Sequence, residues 1–146
     1  DPLWSRGLGD VYKRQVYEQS FTEKLFAGTG KTVWLEKEQD INAIIAVTGS
    51  APAYFFYFMQ AMQQVAQELG FDETQAKAMV AQTALGAATM ANQSELSFEA
   101  LRAQVTSKGG TTHEAIETFK QHNLESMVKD AMYAAIRRAE EMAKTL

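Results

Sequence analysis

The sequence contains no cysteine, which excludes disulfide bonds, thiolate nucleophiles and cysteine-based zinc or iron–sulfur sites. Histidine is nearly as scarce. His113 and His122 are the only two and stand nine positions apart, not at the i, i+4 spacing that presents two ligands on one helix face, so no metal site is expected. There is no excess of positive charge either. The 14 Lys and Arg residues are scattered among 18 Asp and Glu for a net charge of -4, so nothing favours a phosphate backbone and nucleic acid is not an expected partner. The longest apolar run, Ala51 to Met59, closes at Gln60 and falls well short of the roughly 20 residues needed to cross a bilayer, so no membrane span is expected. Residues 1–15 lack the charged start, apolar centre and small-residue cleavage site of a signal peptide, and with the absent cysteines this leads to an expected cytoplasmic location.

What is present is an ordinary globular composition, 46% hydrophobic over 146 residues, enough for one domain. Residues 1–15, DPLWSRGLGDVYKRQ, carry neither a helical nor a strand period and read as a foreign tail. From Val16 onward almost every segment has a helix start signal followed by apolar residues at i, i+3, i+4 spacing. Ser20 with Glu23 has the spacing of a capping box and predicts a short helix through Phe21, Leu25 and Phe26, stopped by Gly28 and Gly30. Thr32 to Leu35 is the only persuasive strand, and a strand without a neighbour leaves its backbone groups unpaired, so its partners are expected outside this chain. Helices follow over 38–47, 51–69, 73–91, 98–105, 112–121 and 124–143. Asp72 with Gln75 and Thr111 with Glu114 repeat the capping-box spacing, while Gly70 and Asn123 mark changes of direction.

Two of these helices are too apolar for one face of a small monomer. Over 51–69, Phe55, Phe58, Met59, Met62, Val65 and Leu69 form a stripe, and Tyr54, Phe56 and Tyr57 cover the opposite side. The next helix is rich in alanine, which permits close helix approach. The pattern predicts an obligate helical homodimer, with a compact monomer core as the alternative.

Gly28-Thr29-Gly30-Lys31-Thr32 has the ending of a phosphate-binding P-loop, but Leu25 stands where the first glycine belongs and the helix precedes the turn instead of following it. No G-x-G-x-x-G occurs either, so the chain has no dinucleotide-binding turn of its own. More informative is Thr106-Ser107-Lys108-Gly109-Gly110-Thr111-Thr112, which runs into a helix start. Glycines and hydroxyl residues there fit either a small-anion site built on free amides or a plain loop with an N-cap threonine. Thr48-Gly49-Ser50-Ala51-Pro52 likewise places a hydroxyl cap before a proline in a first helical turn.

Taken in order, Thr48-Gly49-Ser50-Ala51-Pro52-Ala53-Tyr54, then Gln82-Thr83 with Leu85-Gly86-Ala87-Ala88, then Leu101-Arg102 and Val105 to Thr112, resemble the C-terminal dimerisation domain of pyrroline-5-carboxylate reductase. The resemblance covers 16–146, and the Thr-Ser-x-Gly-Gly-Thr-Thr loop is its most specific part. It implies a mainly α helical bundle that interleaves with its twin into a homodimer or a higher assembly of dimers. It also implies reduction of 1-pyrroline-5-carboxylate to L-proline by NADPH or NADH, the cofactor being held mainly by a Rossmann domain that precedes this one in the family. On that pattern 16–36 is the end of the Rossmann domain, with Thr32 to Leu35 as its last strand, and 37–146 is the helical dimerisation and substrate-binding domain. Ser107, Gly110, Thr111 and Thr112 would hold the substrate carboxylate, the Thr112 hydroxyl would act catalytically at the ring nitrogen, and Glu95 would lie near the substrate. Without its Rossmann partner the chain is not expected to turn over.

The sequence departs from the family pattern at four places: Thr48 replaces the first serine, Ala51 a glycine, Lys108 stands where proline is common, and Ile45 occupies a position that is often threonine. Ile45 weakens any expectation of polar contacts at the nicotinamide end. A free-standing helical interaction module without catalysis is the alternative.

Overall fold

The computed structural model describes residues 16–28 and 30–144, so the expected foreign tail, 1–15, lies outside the described residues. The chain divides into two units, Asp1–Ile41 and Asn42–Leu146. In the first, α1 spans Val16–Phe26. The expected capping box at Ser20 is therefore not a helix start. A cap needs non-helical backbone, whereas Ser20 is already inside the helix, where the Thr22 hydroxyl donates back to the Glu18 carbonyl at 2.8 Å. Glu23 has a different partner: the Trp34 indole Nε1 donates to its Oε1 at 2.7 Å. Thr32–Leu35, the expected strand, pairs with nothing among the described residues and is irregular, with Val33 68% exposed. β-propensity alone does not make a strand; a ladder partner does.

The second unit is helical throughout its regular elements. A 3-10 turn at Glu38–Asp40 ends the first unit, α2 covers Ile41–Ile44 across the boundary and passes into a π turn at Ile45–Gly49, and α3 covers Ala51–Glu68. The Ser50 side chain does not cap α3, contrary to the hydroxyl-cap reading. Its own amide donates to the Ile45 carbonyl at 2.7 Å, the i→i+5 bond of the π turn, and the Thr48 hydroxyl donates to Ile44 at 2.9 Å. The helix runs through, and Pro52 explains the irregularity. Its ring cannot donate to Thr48 and would crowd that carbonyl, a conflict that one wider turn relieves.

α3 ends in a Schellman motif. The Gly70 amide donates to Gln67 and the Phe71 amide to Ala66, with Gly70 at φ 99°. Two residues later Asp72 opens α4, Glu73–Gln93, with the expected capping box: its carboxylate accepts from the Gln75 amide at 2.8 Å, and the Gln75 side chain accepts from the Asp72 amide at 3.2 Å. Asp72→Ala removes half of this exchange and should lower stability by about 1 kcal/mol, measured as a shifted denaturant midpoint with unchanged slope. The tight corner lays α4 against α3. α5, Phe98–Gln104, is capped by Ser97, whose hydroxyl accepts from the Ala100 amide at 3.2 Å. α6, Thr111–Gln121, and α7, Leu124–Ala143, meet at Asn123, held left-handed at φ 55°. This is a position asparagine tolerates better than most residues. α7 packs on α6 and on the π turn.

The chain buries little of its apolar surface. Among the described residues only Ala46, Ala76 and Val80 are buried, and α3 buries none. Phe55 and Phe56 are both 67% exposed and Tyr57 76%. The Tyr54 hydroxyl is shielded from solvent yet has no hydrogen-bond partner. Between α3 and α4 runs an apolar groove of about 450 Å³ lined by Phe58, Met62, Val65, Leu69 and Met79. Phe119 of α6 closes one side, its ring 5.9 Å from that of Phe58. The compact monomer core weighed from the sequence is not what this chain builds. Judged by length and composition alone, the helical stretch Glu38–Glu68 could cross a membrane, with a mean hydropathy of 1.3 in its most apolar window. The expectation of no span rested on uninterrupted apolar runs, which miss a stretch whose polar residues are spread along its length.

Candidate functional site

The site grows out of the way α5 ends and α6 begins. At the close of α5 the amides of Val105 and Thr106 donate to Arg102 and Ala103, and the Thr106 hydroxyl donates to the Arg102 carbonyl at 2.7 Å. The chain then turns at once. The Gly110 amide donates to the Ser107 carbonyl at 3.0 Å, and Gly109 has φ +71° while Lys108 keeps a negative φ. Those signs define a type II turn, in which the third position favours glycine and the second suits proline. The turn accounts for two family-pattern residues at once: glycine at 109 is a backbone requirement, and Lys108 occupies a position where proline would fit equally well.

Gly110, at φ −84° and ψ 172°, is the N-cap of α6. The expected capping box of Thr111 with Glu114 is thus displaced by one residue. Thr111 is already the first helical residue, Glu114 is the fourth, and no side chain caps the helix. The first intrahelical bond there runs from the Glu114 amide to the Gly110 carbonyl at 3.2 Å, which leaves the Thr111, Thr112 and His113 amides as the helix's free donors. An uncapped N-terminus of an 11-residue helix, with its positive dipole end exposed, is suited to an anionic oxygen pair. The absence of a side chain at Gly110 also matters sterically. A Cβ there would run into the Ser107 hydroxyl and lie 3.2 Å from the Ser107 carbonyl oxygen.

Four of the residues expected at the site, Ser107, Gly110, Thr111 and Thr112, are therefore gathered by one turn, with Ser107, Thr111 and Thr112 exposed to solvent. Glu95 is not brought to them. It is exposed in the connection between Ser94 and Ser97, at the far end of α5, and no hydrogen bond or ion pair among the described residues joins it to the loop. Further along α6, Glu117 accepts from Lys120 Nζ at 2.7 Å. That hydrogen bond holds its carboxyl below the usual carboxylate range against an opposing desolvation, with the charges of Lys120, His113 and Arg102 adding smaller contributions in the same direction as the hydrogen bond. Because the folded value is depressed, the contribution is present above the ordinary carboxylate pKa and is lost as pH falls through the folded value. Glu117→Gln should accordingly lower thermal stability slightly at neutral pH and leave it unchanged in acid below the carboxylate range. Among the described residues no group of three His, Asp or Glu side chains could hold a metal ion.

Fold and loop together describe a helical domain with a large exposed apolar surface and, separately, an uncapped helix start behind a tight turn. Residues 38–142 match the pyrroline-5-carboxylate reductase dimerisation family, and the chain belongs to it. A pyrroline-5-carboxylate reductase of Vibrio alginolyticus is 50% identical over 129 residues, covering 88% of this chain and 47% of the relative. Among solved structures, a pyrroline-5-carboxylate reductase from Coxiella burnetii superposes with a TM-score of 0.84 at 38% identity, over 88% of this chain and 47% of that one. A Plasmodium falciparum pyrroline carboxylate reductase with NADP bound shares the fold at a TM-score of 0.76 and 22% identity, over 89% of this chain and 49% of that one. The chain spans about half the length of the curated relatives it matches.

Proposed function

We propose that this chain is the substrate-holding and dimer-forming half of a pyrroline-5-carboxylate reductase, acting in the cytoplasm to convert 1-pyrroline-5-carboxylate to L-proline. The observation that carries the reading is the uncapped start of α6 behind the Ser107–Gly110 turn, in a chain half identical to a relative named for that reaction. NADPH or NADH supplies the hydride that reduces the C=N bond. No dinucleotide-binding turn exists in this sequence, so residues 16–36 are read as the end of a nucleotide-binding domain that holds the cofactor, and 37–146 as the substrate and dimer domain. Residues 1–15 are read as foreign to both.

The contribution of this chain is to bind and orient. The free amides at the start of α6, with the hydroxyls of Ser107, Thr111 and Thr112, hold the substrate carboxylate. Gly110 lets the ligand approach the backbone. With the carboxylate fixed, the ring nitrogen falls to the Thr112 hydroxyl, which hydrogen-bonds and orients it and relays to it a proton from solvent water as hydride adds to the carbon of the C=N bond. Glu95, far from this loop along its own chain, stands at the substrate's edge in the assembled enzyme. A second copy covers α3 and the groove between α3 and α4, and this accounts for the exposed phenylalanines and for a shielded Tyr54 hydroxyl without an acceptor.

The test joins residues 16–146 to the N-terminal half of the Vibrio alginolyticus relative. The joined enzyme should consume NADPH or NADH and form L-proline, while the 146-residue chain alone should form none but sediment as a dimer. A folded joined enzyme without turnover overturns the catalytic reading, and a monomeric chain overturns the assembly.

A further inference from the structure

The corner between α5 and α6 carries a cation that the fold leaves without a counter-charge. Glu117 is hydrogen-bonded by Lys120 and also lies in the fields of His113 and Arg102. Neither ion pair among the described residues, Glu117 with Lys120 or Arg138 with Glu141, involves Lys108. Lys108 is exposed, and it is the only permanently charged residue between Val105 and His113. Its backbone gives no reason for lysine, because the second position of a type II turn is served at least as well by proline. Its position does. The turn that carries it leads directly into the Thr111, Thr112 and His113 amides, which no side chain caps.

We infer that Lys108 is a specificity residue for the anionic substrate, its ammonium drawing the carboxylate of the pyrroline ring towards the amides at the start of α6. The inference rests on the catalytic reading above and adds to it a charge that acts during encounter. An exposed cation of this kind works at long range, is screened by salt, and contributes on the scale of a solvent-exposed ion pair. Its mark is therefore a salt-dependent kcat/KM for the carboxylate substrate.

The experiment uses the joined enzyme and measures kcat/KM for 1-pyrroline-5-carboxylate between about 0.01 and 0.15 M salt, over which the screening length falls from about 30 to about 8 Å. For the unsubstituted enzyme kcat/KM should fall about threefold across that range, as expected for losing one exposed pair. Lys108→Gln and Lys108→Pro should both begin about threefold lower and change little with salt, through KM more than kcat. The proline variant keeps the turn, so a shared result is electrostatic and not a collapsed loop. Lys108→Arg should restore the salt dependence, and Lys77→Gln on α4 should behave as the unsubstituted enzyme. If Lys108→Gln and Lys108→Pro keep the original KM and salt slope, or shift only the KM for NADPH or NADH, the inference fails while the catalytic reading stands. A joined enzyme that does not turn over removes both.

Discussion

Thr112→Ala, introduced into the joined enzyme, should lower kcat about a hundredfold while the KM for 1-pyrroline-5-carboxylate changes far less, because the loss falls on a positioned proton donor. The asymmetry follows from where Thr112 sits. As the second residue of α6 it offers the ligand both a free backbone amide and a hydroxyl. Alanine keeps the amide proposed to grip the carboxylate, but deletes the hydroxyl proposed to face the ring nitrogen. Thr112→Ser retains the oxygen and should recover most of the rate. The folded state should hardly register either change, since Thr112 is exposed and its hydroxyl forms no cap. Unchanged kcat in the alanine variant would remove the hydroxyl from the mechanism and leave the loop as a binding element only.

The second large effect belongs to Gly110. A methyl group there meets the Ser107 hydroxyl and crowds the Ser107 carbonyl at 3.2 Å, the same carbonyl that accepts the Gly110 amide to close the turn. The Ser107 hydroxyl must turn away and the turn must give slightly to admit it. Gly110→Ala should destabilise the chain by about 1–3 kcal/mol, the usual range for forced overpacking, and raise KM more than tenfold as the α6 amides lose their alignment. A double-mutant cycle with Ser107→Ala separates the two contacts. Deleting the hydroxyl should recover part of the stability but not all of it, because the carbonyl is backbone and cannot be removed. Full recovery would show that the backbone contact is harmless; no recovery would show that the hydroxyl was free to move aside.

How legible these features are depends on whether their causes are local. Gly70, Asp72 and Asn123 could be read directly, since a left-handed residue or a carboxylate cap is decided within a few residues of itself. Ser20 with Glu23 has the same spacing as a real capping box, but the helix had already begun at Val16, and no pattern inside the box reveals that. Thr111 misled for a different reason. The cap position is defined by backbone conformation, and the left-handed Gly109 hands it to Gly110, a residue with no side chain to announce it. Thr32 to Leu35 has strand chemistry but no neighbour among the described residues. That Ser107, Thr111 and Thr112 lie together is legible because one short turn gathers them. Glu95 could be placed only by resemblance, since any meeting with the loop depends on how distant segments are arranged.

The π turn at Ile45–Gly49 has a consequence for the azimuth of everything after it. An α-helix advances about 100° per residue, so one residue inserted into a single turn acts as a phase shifter between the helix before it and the helix after it. Ala46, fully buried in that turn, is aimed on one side of the phase change, and the aromatic run from Tyr54 to Phe58 on the other. Deleting one residue here would leave a more regular helix and every side chain of α3 in place along the axis. Straightening the turn to α geometry with no residue removed would instead swing Phe55, Phe58 and Met62 around the axis relative to the helix before it, so that the exposed aromatic surface would face elsewhere.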